Sequence, residues 1–206
     1  MDIYFLIKGI VIGFSIAAPV GPIGVLCIRR TLSNGRLSGL VSGLGAATAD
    51  GFYGAVAAFG LTIISNVLVG QQFWFRLIGG LFLLYLGVKT FLSKPAEKST
   101  TDKKGGLFGD YASTLFLTIT NPMTILSFVA IFAGLGLGNS NGNFVSAIMM
   151  VLGVVLGSAL WWIILSGGVS ILRSKFNTNS LKVVNWVSGI VLVSFAVFVL
   201  VGILKR

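Results

Sequence analysis

The chain has no histidine, one cysteine and five acidic residues among 206. Without imidazole, and with Cys27 alone, the common nitrogen and thiolate metal sites, an internal disulfide and thiol relay chemistry are all excluded. No metal or cofactor is expected. A membrane aspartyl protease would need a second buried Asp and a rhomboid-type protease a His, so these enzyme classes are excluded too. There is no phosphate-binding loop and no nucleic-acid motif. Charge itself is scarce: 10% of residues are charged and 55% are hydrophobic, whereas a soluble domain carries about a quarter charged residues. Mean hydropathy is +0.99, and apolar runs of the roughly 20 residues that span a bilayer recur along the whole length. This is the composition of an integral membrane protein.

Between charge and turn clusters, the apolar runs predict six transmembrane helices near 3–27, 37–65, 73–92, 111–137, 144–172 and 183–204. The first run continues past Lys8, so it reads as a retained span rather than a cleaved leader. The whole chain, 1–206, reads as one transporter domain, with halves at 1–92 and 111–206 and a loop at 93–109. Arg29, Arg30 and Arg36 fall in the first connection, Lys94, Lys98, Lys103 and Lys104 in the third, and Arg173, Lys175 and Lys182 in the fifth. By the positive-inside rule the odd connections of this multi-pass chain are cytoplasmic and both termini lie outside. Arg29 and Arg30 are expected to meet lipid headgroups there. Three spans per half would make the halves inverted repeats, a plan shared by many secondary transporters.

Two interruptions punctuate these spans. Ala18-Pro19-Val20-Gly21-Pro22 lies inside the first and Thr118-Ile119-Thr120-Asn121-Pro122 inside the fourth. Proline removes a backbone donor and glycine relaxes the chain, so both helices should break. A helix restarting after Pro22 or Pro122 would aim free N–H groups and a positive dipole end inward, which suits a carboxylate; the alternative is a pair of structural kinks. Asp50 is the only acid well inside a predicted span. It can hold a substrate ammonium, cycle a proton for coupling, or merely cap the broken first helix. Thr114, Thr118 and Asn121 share a face of the fourth span, either wet or bonded to neighbouring helices. Trp161 and Trp162 line a substrate path or anchor at the interface. Gly35, Gly39, Gly43, Ala47 and Gly51, with Gly153 and Gly157, form small-residue ladders for close helix packing. The candidate substrate site is thus Pro19, Gly21, Pro22, Asp50, Thr118, Asn121, Pro122 and Trp161, with Asp50 as the coupling residue.

These residues carry a family resemblance. Pro19-Val20-Gly21-Pro22, the basic turn and Gly-rich helix from Arg29 to Asp50, the run Arg76 to Gly87, and Thr120-Asn121-Pro122 together resemble the lysine exporter family of bacterial amino-acid exporters. The resemblance implies export of an amino acid or related small metabolite across the bacterial cytoplasmic membrane, energised by the proton gradient; membrane lipids are expected partners, and a homo-oligomer is compatible with the sequence. Ile23 and Met123 stand where the family often has Asn and Lys. An inorganic-ion carrier of the same superfamily and a non-transporting structural membrane protein are the alternatives.

Overall fold

The computed structural model describes residues 2–19, 21–59, 70–93, 106–121, 123–128 and 144–204. These residues form α1 (Asp2–Ala17), α2 (Pro22–Asn34), α3 (Arg36–Ala58), α4 (Gln72–Phe91), α5 (Leu107–Ile119), α6 (Phe144–Leu172) and α7 (Thr178–Leu204), with a single 3-10 turn at Arg173–Lys175. Residues 123–128 are also helical. No strand occurs among the described residues.

Among the described residues, three helical stretches are long and apolar enough to cross a bilayer: Phe73–Phe91, Phe144–Lys175 and Thr178–Ile203. A fourth span results if Ile3–Ala17 and Pro22–Asn34, set at 80° to one another, are taken together. The break between them follows from the sequence. The Ala18 amide closes α1 on the Phe14 carbonyl and the Gly21 amide turns back to Pro19. Pro22 then opens α2 at a position where its missing N–H costs no helical bond.

The first connection differs from its expected form. The predicted span ends at 27, but α2 runs on to Asn34, and Gly35 alone, at φ 103, joins it to α3. Arg29 and Arg30 therefore belong to a helix. Their charges find partners inside the protein, so the chain has no need to leave the helix for water. The fourth predicted span begins four residues early, at Leu107, and the sixth five residues early, at Thr178. Residues 60–65 of the second expected span and 129–137 of the fourth lie outside the described residues, as does Pro122.

α3 sits at the centre, packed on α2, α5 and α6, while α1 packs on α6 and α4 on α7. Small residues permit this. A Cβ at Gly9 would meet the Met150 carbonyl oxygen, and one at Gly153 would meet that of Leu6, so α1 and α6 touch backbone to backbone. The ladder on α3 works likewise: Gly39 faces Thr31 of α2, Gly43 faces Trp162 and Gly51 faces Val155.

Candidate functional site

Asp50 is 3% exposed and points from α3 toward α6. The Ser158 hydroxyl donates to its Oδ2 at 2.7 Å, and the Trp162 indole N–H donates to the Ser158 oxygen at 3.2 Å. Ser158 and Trp162 stand one turn apart on α6, so a single helix face supplies both groups. The Trp162 ring reaches this position because Gly43 is bare: a Cβ there would lie 2.5 Å from the ring's Cγ. Among the described residues no Lys or Arg pairs with Asp50, and the ion pair present lies elsewhere.

Each interruption connects to residues one turn away from this carboxylate. Ala17 and Ile23, on either side of the first break, pack with Ala46, Ala47, Ala159 and Trp162, one turn from Asp50 and Ser158. On the other side, Tyr53 lies one turn along α3 from Asp50, and its hydroxyl donates to the Ile119 carbonyl at the end of α5. The two restarts differ. Gly21 caps α2 in an extended conformation with no side-chain bond, and the Pro22 ring follows, so its end is open. The later restart is capped: Asn121 Oδ1 accepts from the Met123 amide at 3.1 Å, and its Nδ2 donates to Thr124. Asn121 thus satisfies donors of the second half-helix rather than freed carbonyls of the first.

The remaining predicted residues scatter. Pro19 is exposed in the bend. Thr118 is buried and donates to the Thr114 carbonyl of its own helix at 2.8 Å. Trp161 stands edge-on to Phe14, ring centroids 5.4 Å apart, while its neighbour Trp162 reaches Ser158. Sequence reasoning passed over Ser158 as a site residue, as it did Tyr53; four-residue spacing from Ser158 to Trp162 was the available signal.

A second polar centre replaces the expected headgroup contact of Arg29 and Arg30. Arg30 is 6% exposed and pairs through Nε with Asp110 Oδ1 at 3.0 Å. Its Nη1 donates to Ser42, Thr114 and the Asp110 carbonyl, its Nη2 to Ser113, and Ser38 donates to Asp110 Oδ2. Arg29 donates to Asn185 and Ser93. Lipid contact is ruled out for Arg30 by burial alone.

The described helices are apolar, enclose a buried acid and include a broken first pair. The LysE type translocator model matches residues 14–202, and the chain belongs to that family. It is 26% identical over 193 residues to the "Putative amino acid efflux protein YcgF" of Bacillus subtilis, covering 92% of this chain and 91% of that one. It is 27% identical over 185 residues to the uncharacterized membrane protein YrhP of Bacillus subtilis, covering 84% and 87%. The uncharacterized membrane protein YahN of Escherichia coli is 26% identical over 147 residues, 70% of this chain and 65% of YahN. No solved structure matches. The chain is a membrane transporter of the LysE type.

Proposed function

We propose that this chain exports an amino acid or closely related zwitterionic metabolite across the bacterial cytoplasmic membrane, driven by the proton gradient. The observation that carries this reading is the Asp50 carboxylate, buried with a hydroxyl as partner and, among the described residues, no cation beside it. A buried carboxylate in apolar surroundings is costly unless a proton or a cation neutralises it. A substrate ammonium and a transported proton would compete for that position, which links binding to coupling. The open N-terminal end of α2 is suited to the substrate carboxylate. Asp50 with Ser158 and Trp162 would hold the other end, with Pro19, Gly21 and Pro22 shaping the break and Thr118, Asn121, Pro122 and Trp161 as outer members of the site.

The packing supports a single domain of two inverted halves, 1–92 and 111–206. Exchanging the halves turns the α1–α6 pair into the α5–α3 pair, and returns α3–α6 and α4–α7 to themselves. All four pairs are packed. In this reading six spans place the basic connections in the cytoplasm and both termini outside.

Metabolite profiling of medium from cells that overexpress or lack the protein identifies the substrate, and purified protein in vesicles with an imposed pH gradient tests transport. Absence of any amino acid or related metabolite from both experiments overturns the exporter reading.

A further inference from the structure

The C-terminal end of α2 is held by the tips of arginines. Arg30 reaches α3 through Ser42 and α5 through Asp110, Ser113 and Thr114. Arg29 reaches Asn185 on α7 and Ser93 after α4, and Arg173, following α6, donates to the Leu32 carbonyl. On the break side of this network lie Leu26 and Cys27, 1% and 2% exposed; Cys27 packs with Ala46, Ala47 and Trp162, and Leu26 with Leu83, Leu117 and Leu192. α2 itself runs between two glycines, Gly21 at the break and Gly35 at φ 103. A buried ion pair gives little net stability over apolar side chains of similar volume, so this network is a poor staple. Its acceptors other than Asp110 are hydroxyls and carbonyls, which water can replace. Polar tips that water can replace, at the end of a short rod flanked by glycines, make a contact able to open and reform.

We propose that Arg30 and Asp110 are the latch of the cytoplasmic gate, and that α2, turning about Gly21 and Gly35, opens and closes the path between Asp50 and the basic face. The proposal rests on the transporter reading and orientation given above. Cys27, the single cysteine, is buried one turn from Arg30 toward the break, so its exposure would report opening without any engineered thiol. Sealed vesicles of each orientation are treated with a charged, membrane-impermeant methanethiosulfonate, and the labelling rate of Cys27 is measured. Asp110→Asn keeps the side-chain shape and the acceptor for Arg30 while removing the charge. Its cytoplasmic-face labelling should rise about tenfold, the population change produced by weakening one charge-assisted hydrogen bond, with outer-face labelling unchanged. Ser38→Ala removes one donor to Asp110 and should give a smaller rise of the same sign. A rise from the outer face alone upholds the latch and overturns the orientation; a metabolite screen without substrate overturns the exporter reading and leaves the latch standing. Unchanged labelling in inserted variants, an equal rise from both faces, or failure of both variants to insert overturns the latch.

Discussion

The α1–α6 contact permits a prediction with a worked magnitude. A Cβ built on Gly157 meets the Ile10 carbonyl, with the Ile10 carbonyl carbon 2.8 Å away, and one on Gly153 lies 2.8 Å from the Gly9 Cα. All of these are backbone atoms, so no side chain can swing aside and the helices themselves must part. Ordinary contact needs more than 3.4 Å, so Gly157→Ala should separate the helices by on the order of 1 Å and cost about 1–3 kcal/mol, the usual penalty for overpacking. At ~2–4 °C per kcal/mol for a chain of this size, the melting temperature in detergent should fall by several degrees. Gly153→Ala should do the same. Because one separation relieves both clashes, the double variant should lose less than the sum of the two. Gly168, with nothing near its built Cβ, is the control, and Gly168→Ala should be neutral. Ser158 follows Gly157 directly, so the displaced helix also draws its hydroxyl from Asp50 and transport should fall. A Gly157→Ala protein as stable as Gly168→Ala, or a fully additive double variant, refutes the backbone contact.

Three further outcomes are expected. Asp50→Asn should leave insertion intact and abolish gradient-driven accumulation in vesicles, while exchange of substrate down its own gradient persists; full uphill transport by the variant removes Asp50 from coupling. Asn121→Ala should destabilise the protein by about 1 kcal/mol through loss of the cap on Met123, measured by thermal unfolding in detergent against Asn121→Asp, which retains an acceptor. A reporter that folds only outside the cytoplasm should be active when fused at Asn141 or after Arg206, and activity from fusions at Lys98 or Lys175 instead reverses the orientation.

Spans were legible where apolar runs ended in abrupt polarity. The fifth, 144–172, coincides with α6, and the third, 73–92, differs from α4 by one residue at each end. Arg29 and Arg30 misled because two adjacent arginines read as a loop. The acid that permits Arg30 to stay helical lies 80 residues away on α5, a pairing no local pattern contains. Asp110 was overlooked for the same reason, standing at the edge of a predicted span rather than inside one. Asp50 stood out because an acid in an apolar run is rare. Its partners did not: α6 is apolar on every side, so nothing local distinguishes Trp162, which turns inward, from Trp161, which meets Phe14.

One ring, that of Trp162, meets Ser158 beside Asp50 and lies against Gly43 next to Ser42. Ser42, which accepts from Arg30, and Asp50 are eight residues apart on α3, about 12 Å along a straight helix that carries them as a rigid pair. Trp162 reaches toward both levels from α6. Its N–H engages Ser158 at the Asp50 level, and its ring covers Gly43, the residue after Ser42. If a cation is drawn to Asp50 in the proposed transport reading, it would compete for Ser158 and free the indole that lies against Gly43. A Cβ at Gly43 meets the Trp162 Cβ as well as the ring, so Gly43→Ala displaces the whole side chain while leaving Asp50 and the Arg30–Asp110 pair unsubstituted. If Trp162 couples the centres, this one methyl group should lower uphill transport and raise cytoplasmic-face labelling of Cys27 together, in a protein that still inserts. Reduced transport with unchanged labelling would confine Trp162 to the Asp50 site and leave the latch independent of it.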